Sequence, residues 1–142
     1  MNNDISIIIV NYNSHLYIES CLNSLVSNTK ELNYEIIIVD NNSPDRAITN
    51  LKNKFSNIEL LLLNNNIGFG SACNYGAINS NGKYLVFVNP DTVFLDNCLK
   101  EMFEFMENTK YATVCSPSFV NVDGNQGYVY NIFPDVLWEF YD

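Results

Sequence analysis

Two stretches of this chain, residues 5–10 (ISIIIV) and 34–39 (YEIIIV), are short runs dominated by consecutive β-branched residues. A strand with one wet face alternates apolar and polar side chains. A run without that alternation has to be covered on both faces, as in a parallel sheet. Between the two runs, Leu16, Ile18, Cys21, Leu22, Leu25 and Val26 recur at helical spacing, which predicts an amphipathic helix over 15–27. Asn13 or Ser14 suits its N-cap.

The strand-and-helix unit then recurs. Residues 58–63 (IELLLL) and 84–88 (YLVFV) predict a third and a fourth strand. Helices are expected over 44–55, 69–80 and 95–106, the first capped by Ser43 with Pro44 at its first position. A fifth strand is expected over 113–120, and Asp123-Gly124 signals a hairpin within 121–130. Strands alternating with helices imply an α/β fold: a mostly parallel central sheet, helices on both faces and right-handed crossovers. A length of 142 residues suits one domain over 1–142. Within it, 1–120 form the core and 121–142 a hairpin with an apolar tail.

Charge narrows the function. Acidic residues outnumber basic ones 16 to 7, for a net charge of -9. Nucleic-acid binding needs a basic stripe to displace counterions, and adhesion to anionic lipid needs the same, so neither is expected. No apolar run is long enough to span a bilayer, so no integral membrane segment is expected. Met1 is followed by Asn-Asn-Asp rather than by a basic region and an apolar stretch of about 7–15 residues, so no signal peptide is expected. Cys21, Cys73, Cys98 and Cys115 lie far apart with no close pairs, which argues for free thiols in the cytoplasm rather than a zinc site or disulfides. His15 is given no chemical role.

In open α/β sheets, ligands bind beyond the carboxyl ends of the strands. Polar residues stand at three such ends: Asn11, Asp40 and Asn89-Pro90-Asp91. Small residues, Gly68, Gly70, Ala72 and Gly76, open the helix after the third strand, where they allow close approach of a ligand or of the sheet. The spacing is neither a dinucleotide fingerprint nor a phosphate-binding P-loop. There is no Lys or Arg between Phe55 and Gly82. A bound diphosphate would therefore be neutralised by backbone N–H groups and a divalent metal, for which Asp91 is a suitable hard oxygen ligand.

Taken in order, these elements resemble the family 2 glycosyltransferases of the GT-A fold. Residues 7–13 (IIIVNYN) are similar to the family's first strand and base-binding turn. Residues 38–45 (IVDNNSPD) resemble its second strand end, and Asn66-Ile67-Gly68-Phe69-Gly70 with Asn74 and Gly76 its NxGFxxxxNxG element. Asn89-Pro90-Asp91 resembles its metal motif, and 123–134 the segment that follows in the rhamnosyltransferase-like branch. The resemblance implies a Rossmann-like domain binding a UDP- or dTDP-linked sugar. Asp40 would accept a hydrogen bond from the base or ribose, and Asn11 would line the same pocket. Asn66, Gly68, Gly70, Asn74 and Asn89 would shape the wall along the nucleotide and sugar. Asp91 would bind Mn²⁺ or Mg²⁺.

By the same resemblance, the sugar passes to a hydroxyl of a glycan or lipid-linked acceptor, with inversion. The product would be cell-surface polysaccharide, made in the cytoplasm or at the inner membrane face. Two departures stand out. The family's acid-x-acid motif has an amide, Asn89, at its first position. The chain also resembles the family's donor-binding half, and no residue matches the family's general base, although Asp123 and Asp135 are available acids. The alternative expectation is therefore an incomplete nucleotide-sugar-binding or interaction module. It would pair with a second copy or a partner chain through the apolar tail, which carries Phe133, Trp138, Phe140 and Tyr141. A nucleotidyltransferase is disfavoured, because Asn11-Tyr12-Asn13-Ser14 lacks the basic residue that holds a triphosphate.

Overall fold

A computed structural model describes residues 3–44, 47–121, 123–125 and 127. Its four strands are β1 (Ile5–Asn11), β2 (Tyr34–Asp40), β3 (Ile58–Leu62) and β4 (Tyr84–Val88). They form one sheet in the order β3-β2-β1-β4, and every pairing is parallel. The helices are α1 (His15–Asn28), α2 (Leu51–Lys54, entered through a 3₁₀ turn at Ala47–Asn50), α3 (Phe69–Ile78) and α4 (Cys98–Asn108).

The runs in β1 and β2 are buried because both faces are covered, whereas β3 and β4 are only partly buried. Ile5, Ile7 and Ile9 of β1 and Ile36 and Ile38 of β2 pack with Ile18, Cys21, Leu22 and Leu25 of α1, Leu51 of α2 and Leu99 of α4. On the opposite face, Val10, Ile37 and Val39 pack with Ala72 of α3. Full burial of one such aliphatic side chain contributes roughly 2–3 kcal/mol. Gly76 is what lets α3 lie so close to the sheet. A Cβ there would stand 2.6 Å from Ile8 Cγ2 and 3.1 Å from Val39 Cγ2.

Several boundaries differ from expectation. Ser43, expected to cap a helix, is instead bonded to the end of β2. Its hydroxyl is turned back onto Asp40, and the described 3₁₀ turn spans Ala47–Asn50. Ser14 holds the N-cap position of α1, but its hydroxyl donates to the Tyr12 carbonyl instead of capping. The last helix starts at Cys98 rather than at residue 95, where the Asp96 carboxylate accepts from the Cys98 amide. The expected fifth strand over 113–120 does not form, apart from an isolated bridge at Val120. Pro117 in its middle has no N–H to offer a ladder. The turn at Asp123-Gly124 is present: Gly124 has φ +77°, and Asn121 N–H donates to the Asn125 carbonyl at 2.9 Å. The aromatic residues of the tail lie outside the described residues.

Candidate active site

The strand order places a switch point between β1 and β4. The chain winds outward from β1 through β2 to β3, then returns to the other side of β1. Crevices at the carboxyl ends beside such a point are where α/β sheets bind ligands. Asn11 and Asp40 are direct partners in the β1–β2 register and end their strands together.

Both side chains are buried, Asn11 at 1% and Asp40 at 2% exposure. A buried carboxylate needs partners, and among the described residues they are polar groups rather than a cation. Asn11 Nδ2 donates to Asp40 Oδ1 at 2.7 Å. Ser43 Oγ donates to the same oxygen at 2.6 Å, and the Ser43 amide donates to Asp40 Oδ2 at 3.1 Å. Ser43 Oγ also accepts from Asn11 Nδ2 and from the Asn13 amide, each at 3.0 Å. Asn11 Oδ1 accepts from the Ser14 amide. The turn from β1 into α1, in which Asn13 takes the left-handed φ of +56°, is thus tied to the end of β2. Tyr12 is left half exposed at its tip.

The loop from β3 into α3 forms the next wall. Asn66, Gly68 and Gly70 are exposed there. Gly68 has φ +84° and ψ 160°, a region open essentially to glycine alone. A Cβ at Gly68 or Gly70 would meet nothing within 4 Å, so the backbone at the start of α3 faces open space. The small-residue stripe therefore divides. Ala72 and Gly76 pack on the sheet, while Gly68 and Gly70 leave a cradle beside the strand ends. Asn74 is exposed on α3 and takes no part in the sheet-facing side.

Asn89 and Asp91 follow β4 on the other flank of the switch point, and both are exposed. The Asn89 carbonyl accepts from Cys21 Sγ at 3.8 Å. Burial, with the nearby Asp91 charge second, pushes the Cys21 thiol up to about 11, so it stays a protonated donor. A groove of about 1510 Å³ opens beside Asn89 and Asp91, between α4 and the segment 114–121. It does not reach Asn11 or Asp40. The structure thus brings Asn11, Asp40, Asn66 and Gly68 into one hydrogen-bonded set and holds Asn89 and Asp91 apart from it. Among the described residues no group of three or more His, Cys, Asp or Glu side chains could hold a metal ion. Two members of the set, Asn41 and Ser43, were missed by sequence reasoning as site residues. Their signal was their place directly after a buried strand end.

Comparison with known proteins fits this geometry. The family model described as "Glycosyl transferase family 2" matches residues 6–141. The chain is 30% identical over 134 residues to the dTDP-rhamnosyl transferase RfbF of Shigella flexneri, covering 90% of this chain and 43% of that protein. It is 36% identical over 112 residues to the poly(ribitol-phosphate) beta-glucosyltransferase of Bacillus spizizenii, covering 75% and 18%. Among solved structures it resembles S. aureus TarS 1-349 in complex with UDP-GlcNAc. The TM-score is 0.64 at 27% identity, over 73% of this chain and 31% of that one. The chain spans less than half the length of each of these relatives. On its sequence match and its all-parallel α/β architecture, the chain belongs to glycosyl transferase family 2.

Proposed function

We propose that this domain binds a nucleotide-diphosphate sugar, UDP- or dTDP-linked, at the carboxyl ends of β1, β2 and β4, as the donor site of a glycosyltransferase of cell-surface polysaccharide synthesis. The observation that carries this is the site's position: Asn11, Asp40 and the Gly68–Gly70 cradle border a switch point in a domain resembling TarS solved with UDP and with UDP-GlcNAc. The relatives named for teichoic acid synthesis and for dTDP-rhamnosyl transfer support the substrate class.

In this account the turn after β1 and the end of β2 form the floor of the nucleoside pocket. The open backbone of Gly68 and Gly70 lets the diphosphate and sugar lie close to the start of α3, where free N–H groups favour anions. Asp91, with Asn89 beside it, would hold Mn²⁺ or Mg²⁺. As a lone exposed carboxylate it fits an ion that takes its other ligands from diphosphate oxygens and water. When bound, that ion acts as a Lewis acid on the departing diphosphate. Transfer to a glycan or lipid-linked hydroxyl with inversion is part of the same proposal, as is work in the cytoplasm or at the inner membrane face. Among the described residues no helix is long and apolar enough to cross a membrane.

Calorimetric titration with UDP, dTDP and GDP, each with and without Mn²⁺, tests the proposal. Metal-dependent binding of a pyrimidine diphosphate is expected. Absence of binding by all three contradicts it.

A further inference from the structure

The loop that carries the glycine cradle has little to hold it. Every residue from 64 to 70 is exposed, so no buried side chain pins it to the body. Its anchorage comes instead from Asn41. That residue directly follows Asp40 and is only 2% exposed. Its N–H and both polar atoms of its side chain are used. Its N–H donates to the Asn11 carbonyl at 2.8 Å. Its Nδ2 donates to Asn66 Oδ1 at 3.0 Å, and its Oδ1 accepts from the Ile67 amide at 2.9 Å. Asn66 Oδ1 in turn accepts from the Gly68 amide at 2.9 Å. Among the described residues, no other side chain outside the loop hydrogen-bonds to 64–70.

The pattern fixes the orientation of the Asn41 amide. Ile67 N–H can only donate, so the oxygen must face it, and the NH₂ then faces Asn66. Asn66, with its oxygen held by Asn41, presents that oxygen to Gly68 as well. The chain of bonds runs from the β2 end to Gly68, whose backbone conformation at φ +84° and ψ 160° excludes other side chains. An amide is required at position 41. A carboxylate of the same shape keeps the bond from Ile67 but sets an oxygen against Asn66 Oδ1. Turning Asn66 over to relieve that contact removes the acceptor of the Gly68 amide.

We infer that Asn41 is a positioning residue: it touches no substrate, and it holds the Asn66–Gly68 loop in the shape that receives the diphosphate–sugar part of the donor. The inference rests on the nucleotide-sugar reading and deepens it. The base and its ribose lie over the Asn11–Asp40 end, so a loosened cradle costs affinity for the nucleotide sugar and spares the nucleoside monophosphate.

The test is titration of the wild-type chain and the Asn41→Ala, Asn41→Asp, Asn66→Ala and Asn41→Ala/Asn66→Ala variants with UDP-GlcNAc and with UMP in Mn²⁺. Amide hydrogen exchange at Ile67 and Gly68 is measured in parallel. Both Asn41 variants are expected to weaken UDP-GlcNAc about ten-fold, the scale of one or two lost hydrogen bonds. UMP binding should stay within about two-fold. The double variant should be no worse than the worse single one, because both residues act through one chain of bonds. Exchange at Ile67 and Gly68 should speed up while the core amides stay protected. Equal weakening of UMP and UDP-GlcNAc, or no change in either, overturns the inference. If the wild type binds neither these compounds nor dTMP and dTDP, the nucleotide-sugar reading itself fails, and unchanged exchange at Ile67 and Gly68 would separately refute the clamp.

Discussion

The two carboxyl ends that flank the switch point are built in opposite ways. At the ends of β1 and β2, Asn11, Asp40, Asn41 and Ser43 are all buried and hydrogen-bonded to one another or to adjoining loops. At the end of β4, Asn89 and Asp91 are exposed, and among the described residues the Asn89 carbonyl accepts from Cys21 Sγ and the Thr92 amide. Polar groups that are satisfied inside the protein give shape. A carboxylate left in water has its lone pairs free for a ligand. The contrast divides one candidate site into a preorganised floor and an open, charged rim. On the proposed reading, two aspartates that look alike in the sequence do different work.

The largest test of that division is Asp40→Ala. It leaves Asn11 Nδ2 without its closest acceptor and the Ser43 amide without a partner. A loss of about 3 kcal/mol in urea unfolding is expected, with nucleotide affinity falling alongside. If binding falls while stability does not, Asp40 is a ligand contact and the floor is misassigned.

A glycine pair gives a smaller, local effect. Gly68→Ala meets no steric clash, yet its φ of +84° with ψ 160° should cost roughly 1–3 kcal/mol. Gly70→Ala lies inside α3 with equally open surroundings. It should be neutral or gain up to about 1 kcal/mol while still weakening nucleotide-sugar binding, because the new methyl group occupies the cradle. Thermal melts paired with calorimetry separate the two. A Gly70→Ala variant that binds normally would remove the cradle from the site.

The smallest effect belongs to the far end of the sheet and serves as a control. Glu35 accepts from Ser6 Oγ at 2.5 Å and from the Asn81 amide at 2.6 Å. Burial works to raise its carboxyl, but these hydrogen bonds outweigh burial and hold it below its ordinary value of 4.5. A group depressed in the folded state contributes stability above its unfolded value and loses it as pH falls through the folded one. Wild-type stability should therefore drop below pH 4.5 more steeply than that of Glu35→Gln, with nucleotide binding at neutral pH unchanged in the variant. Equal slopes in acid titrations of the two proteins would contradict the assignment.

The strands and their parallel order were legible because a run such as Ile36-Ile37-Ile38 can be satisfied only between two covered faces. The site was legible as an address, the polar residues after those runs, and much less as chemistry. Asn11 and Asp40 read as pocket contacts, yet their register partnership draws the two side chains onto each other. Ser43 before Pro44 carries the signature of a helix cap, and only the fold shows its hydroxyl committed to Asp40. The glycine stripe has one spacing and two uses. Helix geometry turns Gly76 onto Ile8 and leaves Gly68 open, a division that residue type does not encode. The strand expected over 113–120 has the apolar pattern, but Pro117 in its middle has no N–H to offer a ladder.

The most direct measurement of the central claim is the Mn²⁺ dependence of UDP binding in the wild type and in Asp91→Asn. The substitution removes an exposed charge, so stability should stay within about 0.5 kcal/mol. The account predicts metal-dependent binding in the wild type and loss of the metal dependence in the variant, with a residual, metal-independent affinity from the β1–β2 floor. Binding by Asp91→Asn that responds to Mn²⁺ as strongly as the wild type would contradict the division between floor and rim.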